Sequence, residues 1–188
     1  MANLHFHYGT MGTSKSAELI MNAHNWEANG IKVECIKPKQ DNRWALERIT
    51  SRLGISIPAK RMINLNDYEP DKDTKVVLID EIQFFSPKDI DKLVKFADER
   101  NIIVICYGLL VDYNENMFPT SKRLIEVGAK LHQLKSNCQI EGCMNLASHH
   151  LLYDKEGNVV KGGTGIQIGD RLYKAVCRKH FNEFYRGC

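Results

Sequence analysis

The stretch Tyr8-Gly9-Thr10-Met11-Gly12-Thr13-Ser14-Lys15-Ser16 follows an alternating apolar run, Leu4-His5-Phe6-His7-Tyr8, and leads into a helix-like segment. A strand that breaks into a Gly-rich loop, then Lys-Ser, then a helix is the layout of a phosphate-binding loop. Successive backbone N–H groups curl around phosphate oxygens, the helix presents its positive N-terminal end, Lys15 adds a mobile cation and Ser16 offers a hydroxyl to Mg²⁺. The fit to G-x-x-x-x-G-K-[ST] is imperfect, because Ser14 stands where the second glycine belongs. A Gly/Ser-rich surface turn is the alternative, and the position between a strand and a helix favours phosphate.

Working outward, residues 17–26 place apolar side chains at helical spacing, and Asn29-Gly30 closes that helix. Residues 31–36 alternate as a strand that Pro38 ends. The first forty or so residues therefore read as a strand–loop–helix–strand unit, a right-handed crossover in a parallel sheet. Residues 40–73 are irregular and turn-rich. Val76-Val77-Leu78-Ile79 is a continuous apolar run, expected of a parallel strand covered on both faces. Ser86-Pro87 starts a helix through about residue 99, with Ser86 as N-cap. A second buried strand spans residues 102–106, followed by a loop and an amphipathic segment at 121–127.

At 188 residues the chain has room for one ordinary domain and a small appendage. A net charge of +3 with no dense Lys/Arg block is a weak footprint for nucleic acid, and no apolar run approaches membrane-spanning length. The N-terminus enters the first strand without a signal-peptide pattern, so a cytoplasmic location is expected. In that compartment the six cysteines are thiols or metal ligands in preference to disulfides.

From Cys138 onward the chain changes character to turns, glycines and short alternating segments at 148–153, 159–160 and 172–176. A β-rich module of about fifty residues is too small to hold a core unaided. Cys138-x₄-Cys143 and Cys177-x₂-His180 supply the staple: two ligand pairs separated by a β-rich insert, the spacing of a structural zinc ribbon. Four ligands close a tetrahedron and leave no open position, which argues for structure over catalysis. Cys35 and Cys106 read as reduced thiols within strands, and His180 has better spacing than Cys188 as the fourth ligand.

The second constellation is Leu78-Ile79-Asp80-Glu81-Ile82-Gln83-Phe84-Phe85. An apolar strand ending in Asp is what a phosphate-loop protein uses to hold Mg²⁺, and Glu81 lies at the same strand mouth, where it can orient water or accept a hydroxyl proton. A helix-capping Asp-Glu pair is the plainer alternative. Of Phe84 and Phe85, one is expected in the core and the other is available to stack on a flat ring such as a nucleobase.

The loop, Asp80-Glu81-x-Gln83-Phe84-Phe85, Cys106-Tyr107-Gly108-Leu109 and Val176-Cys177-Arg178-Lys179-His180-Phe181 together resemble the zinc-containing thymidine kinases of the bacterial, viral and cytosolic type. Asp41-x-Arg43 and Ser51-Arg52-x-Gly54 match the segment after that family's second strand, so the resemblance runs over essentially the whole chain. It implies an α/β fold of the P-loop (RecA-like) kind for residues 1–136 and a zinc-ribbon lid module for 137–188. It implies transfer of the γ-phosphoryl of ATP to the 5′-hydroxyl of thymidine or deoxyuridine, with Glu81 as general base. Gly9, Thr10, Met11, Gly12, Thr13, Ser14, Lys15 and Ser16 would hold the phosphates together with Asp41, Arg43, Asp80 and Gln83. Ser16 and Asp80 would flank Mg²⁺. Phe84, Leu109, Tyr113 and Tyr173 would border the nucleoside, beneath a lid loop contributing Gly165, Ile166, Gln167, Ile168 and Gly169. Feedback inhibition by dTTP and a homotetramer are further implications, with neither nucleic acid nor membrane as partner. Two rival readings stand beside this one. A P-loop ATPase whose ribbon grips nucleic acid requires a basic module, whereas here Glu141, Asp154, Glu156 and Asp170 offset the lysines and arginines. A catalytically weakened nucleotide binder is motivated by Ser14.

Overall fold

The computed structural model describes residues 3–41, 47–163 and 172–187. Its centre is a six-stranded sheet built from β1 (Leu4–Tyr8), β2 (Val33–Pro38), β5 (Lys60–Met62), β6 (Val76–Ile79), β7 (Ile103–Gly108) and β8 (Lys130–Gln133), in the order β5-β2-β6-β7-β1-β8. Every pairing in it is parallel. The four residues of β6, Val-Val-Leu-Ile, are all buried, as a strand sandwiched between helices requires. β1 and β2 belong to one sheet as expected, but β6 and β7 lie between them.

Strand alternation divides the core in two. Leu4, Phe6, Val77, Ile79, Val104 and Cys106 face α2 (Pro87–Glu99) and α3 (Pro119–Glu126), meeting Ile90, Leu93, Phe96 and Leu124. Val76, Leu78, Ile105 and Tyr107 face α1 (Lys15–Ala28), meeting Leu19, Ile20 and Ala23. Burying each large aliphatic chain is worth about 1.5–3 kcal/mol. Helix ends follow from local chemistry. At α2 the Ser86 hydroxyl accepts from the Asp89 N–H, the Asp89 carboxylate accepts from the Ser86 N–H, and Pro87 occupies the first turn. α1 ends at Asn29, and Gly30 takes a φ of 72°.

The strand expected over 31–36 begins at Val33 and is buried along nearly its whole length, so its alternation does not mark one wet face. Glu34 and Lys37 are buried with partners. Glu34 accepts from Lys60, Tyr68, Thr74 and the Asp71 N–H, and Lys37 pairs with Asp41 at 3.4 Å. The irregular segment also contains β5 and a small hairpin of β3 (Arg48–Thr50) and β4 (Ser56–Pro58). These strands have three residues each, too few for a period to show in sequence.

The C-terminal part pairs β9 (His149–Leu152) with β10 (Tyr173–Val176) in antiparallel fashion, and Asp154 and Asn158 close the expected turn. A short α4 (Arg178–Phe181) and a π-helical turn (Asn182–Arg186) follow, which the sequence had not signalled. Leu151, Val176 and Phe181 form its own small core around Cys138 and Cys177. Among the described residues no helix is long and apolar enough to cross a membrane.

Candidate active site

The Gly-rich loop springs from the carboxyl end of β1, between that strand and α1, where the topology and Lys-Ser placement require it. Gly9 is confined: a Cβ there would lie 2.6 Å from the Leu134 carbonyl oxygen and 2.7 Å from Thr13 Oγ1. Gly12 has a φ of 81°. Ser14 takes a left-handed conformation as well, at φ 59° and ψ 28°, so the serine adopts the backbone that glycine would supply at less cost. Thr13 ties the loop to itself by donating its hydroxyl to the Thr10 carbonyl at 2.9 Å. Lys15 is buried and folds over the loop, donating to the carbonyls of Thr10 at 2.7 Å and Gly9 at 3.3 Å.

Asp80 sits at the carboxyl end of β6, two strands from β1, yet Ser16 Oγ donates to its Oδ2 at 2.8 Å. Its other oxygen accepts from the Glu81 N–H at 3.0 Å, in a chain turn that holds Glu81 at a φ of 50°. Hydroxyl and carboxylate side by side at a phosphate loop are the donor set a hard divalent cation takes, with waters and phosphate oxygens completing the shell. Gln83 lies against Glu81. Its amide donates to Glu81 at 2.5 Å and its carbonyl accepts from the Leu109 N–H at 3.0 Å, so it orients the carboxylate. Gly108 is required by this clamp, since a Cβ there would overlap Gln83 Oε1.

Phe85 is buried in the core beside α2, while Phe84 is half-buried, which divides the aromatic pair as expected. Leu109 is half-buried at the end of β7. Tyr113 is buried and donates to the Gly162 carbonyl at 2.7 Å, with its ring 6.2 Å from that of Tyr173. Asn114 and Tyr185 share the Gly162 N–H, at 3.1 and 3.3 Å. The stem of the glycine-rich segment is therefore anchored to the 108–119 loop. Arg43, Gly165, Ile166, Gln167, Ile168, Gly169 and Cys188 lie outside the described residues.

The staple residues converge. Cys138 Sγ and Cys177 Sγ lie 3.3 and 3.4 Å from His180 Nδ1, and Cys143 Sγ lies 3.9 Å from Cys177 Sγ. All four ligand atoms fall within 4.8 Å of one another. Tetrahedral zinc with Zn–S of about 2.3 Å and Zn–N of about 2.05 Å places sulfurs ~3.8 Å apart and S···N pairs ~3.5 Å apart. The cluster thus has the donors and the spacing to hold a metal ion. Burial works to raise the Cys177 thiol, but the His180 N–H, the other two thiols and Asn145 bring it down to about 7, towards the thiolate a metal needs. Cys35, by contrast, is pushed up to about 12 by burial, and Cys106 is raised by the same cause, as inert core thiols should be.

A profile of the family described as Thymidine kinase matches residues 2–181. The chain belongs to the thymidine kinase family. Relatives include proteins named Thymidine kinase from Enterobacteria phage T4, 36% identical with 97% of each chain covered, and from Idiomarina loihiensis, 37% identical with 97% of each covered. One from Chromobacterium violaceum is 35% identical, covering 97% of this chain and 99% of the relative.

The structure brings the loop, Asp80, Glu81 and Gln83 together, and separately brings Tyr113 and Tyr173 together. Asp41 is buried against Lys37 at the end of β2. One contact escaped the sequence altogether: the Met11 N–H donates to Nε2 of His150 on β9 at 2.9 Å. Burial, then the charge of Lys15 and of His149, hold the His150 imidazole down to about 3, so it stays neutral and its Nε2 remains an acceptor. Thr10 Oγ1 meets Ser136 Oγ at 3.1 Å, and Gln139 Nε2 lies 3.6 Å from where a Gly12 Cβ would be. The only sequence signal for His150 is a histidine on the inward register of a short strand.

Proposed function

We propose that this protein is an ATP-dependent thymidine kinase, converting thymidine and deoxyuridine to their 5′-monophosphates with release of ADP. The observation that carries the reading is the placement of Glu81 one residue from the Asp80 that bonds Ser16 of the phosphate loop. A base so placed lies beside the γ-phosphoryl group, where an acceptor hydroxyl must approach.

In this reading the loop N–H groups and Lys15 clamp the ATP phosphates, with Asp41 and Arg43 near the transferring phosphoryl group. Ser16 and Asp80 would hold Mg²⁺, which would supply neutralisation of phosphate charge. Glu81, aimed by Gln83, accepts the 5′-hydroxyl proton as the oxygen attacks. Phe84 and Leu109 flank the pyrimidine, and Tyr113 and Tyr173 meet the nucleoside beneath the 162–172 lid, whose closure excludes water and suppresses ATP hydrolysis. Residues 1–136 act as the kinase domain and 137–188 as the lid module, stapled by zinc at Cys138, Cys143, Cys177 and His180. The reading extends to feedback inhibition by dTTP, to assembly as a homotetramer and to a cytoplasmic location.

The test is incubation with ATP and thymidine, reading thymidine monophosphate. Glu81→Gln should lower turnover by about 10²–10⁴-fold while leaving ATP affinity near that of the parent. A fully active variant removes Glu81 from the base role. ADP release that ignores thymidine and rises with DNA would favour a nucleic-acid ATPase instead.

A further inference from the structure

Three histidines crowd the outer edge of the main sheet, away from the cysteine cluster. His5 and His7 are two apart on β1, so they share the α1 face. β8 is the edge strand, and its register sets His132 directly beside His7. His5 Nδ1 lies 3.1 Å from His132 Nε2, and the His7 and His132 ring centres are 4.4 Å apart. One ring nitrogen of each comes within 4.8 Å of the others.

We propose that His5, His7 and His132 form a binding site for a divalent transition-metal ion of the nickel, copper or zinc class. Two imidazole nitrogens on one tetrahedral ion, each about 2.05 Å from it, stand ~3.3 Å apart, close to the His5–His132 separation. His7 has the support a metal ligand needs. Its Nδ1 faces Glu18 Oε1 at 2.6 Å, which fixes the proton on Nδ1 and leaves the Nε2 lone pair free to coordinate. An all-imidazole donor set selects these ions over magnesium and calcium, which demand oxygen. His132 is exposed, which leaves a coordination position open to solvent. A simple stack of rings capping the sheet edge is the competing account, and it gives no reason for the Glu18 contact.

The experiment uses the full chain with its cysteine cluster loaded with zinc, titrated with Ni²⁺ by calorimetry while a chromogenic chelator reports released zinc. One Ni²⁺ per chain without zinc release is expected. His5→Gln with His132→Gln should weaken that binding more than a hundredfold, and Glu18→Gln roughly tenfold. Circular dichroism and zinc content should match the parent, since His132 is exposed and His5 only partly buried. Equal Ni²⁺ affinity in parent and double variant overturns the site. So does Ni²⁺ binding only with stoichiometric zinc release, or no binding at all.

Discussion

Replacing His150 by leucine removes the acceptor for the Met11 N–H and, in the same stroke, a titratable group that the fold keeps neutral. The two effects oppose each other, and only the second depends on pH. An orphaned backbone donor costs about 1–3 kcal/mol at any pH. The imidazole acts the other way. Its native pKa of about 3 lies below the unfolded value of about 6.5, so the unfolded chain takes up a proton that the native chain refuses as pH falls below 6.5. At pH 5 this favours unfolding of the parent by roughly 1.5 × 1.36, or about 2 kcal/mol, and at pH 7 by almost nothing. His150→Leu should therefore be less stable than the parent at pH 7, with the gap closing by about 2 kcal/mol at pH 5. His150→Gln keeps an acceptor without the titration, so it should retain loop function at pH 7 and lose the acid sensitivity. Urea unfolding at both pH values gives the differences, and binding of a fluorescent ATP analogue should weaken on the order of tenfold for leucine and little for glutamine. A stability gap that is the same at pH 7 and pH 5 refutes the neutral buried imidazole. Equal nucleotide affinity in the leucine variant and the parent refutes the role of the Met11 bond.

Ser14→Gly should relieve a left-handed serine, and after the greater freedom of unfolded glycine is counted, raise stability by up to about 1 kcal/mol, seen as a melting point higher by a few degrees. A lower melting point means the Ser14 side chain contributes something its exposure hides. Cys143→Ser should lower bound zinc and speed hydrogen exchange in β9 and β10 while β6 and β7 stay protected; uniform exchange would show that the staple does not act locally. Glu34→Gln should cost on the order of 3 kcal/mol at pH 7. Burial alone would raise the Glu34 carboxyl, but the bonds from Lys60, Thr74, the Asp71 N–H and Tyr68 hold it down to about 2, below its unfolded value near 4.5. That stabilisation is complete above pH 4.5 and fades as pH falls towards 2, so urea unfolding should show the deficit shrinking by roughly 1 kcal/mol at pH 3.5; a constant deficit would assign the effect to packing.

The parts of the fold that were legible are those whose cause is local. Val76-Val77-Leu78-Ile79 announces a doubly covered strand, and Ser86-Pro87 with Asp89 announces a helix start, because each signal is complete within a few residues. β3, β4 and β5 were not legible. Each is three residues long, and Lys60-Arg61-Met62 pairs with β2 through a register that nothing in those side chains specifies. Alternation misled at β2, where Glu34 looks like part of a wet face and is instead buried against partners up to forty residues away. The site divides in the same way. Lys15, Ser16, Asp80 and Glu81 stand in contiguous runs, whereas the bond from the Leu109 N–H to Gln83 joins residues 26 apart and neither run marks it.

The misfit at Ser14 can be explained by the same long-range contacts. A loop with serine at a left-handed position holds its shape only if its neighbours over-determine it. Here Gly9 is pressed against the Leu134 carbonyl, Thr10 meets Ser136, Met11 is bonded to His150 and Gly12 lies beside Gln139. Four successive loop positions, leaving the serine aside, are thus fixed by residues that follow β8 or lie in the C-terminal module. Gln139 also exchanges hydrogen bonds with Ala175 on β10, next in sequence but one to Cys177. The cysteine cluster therefore bears on the phosphate loop through two strands and two side chains. Loosening the cluster should therefore loosen the loop along with the module, and a loop so braced tolerates a serine where a freestanding one would need glycine.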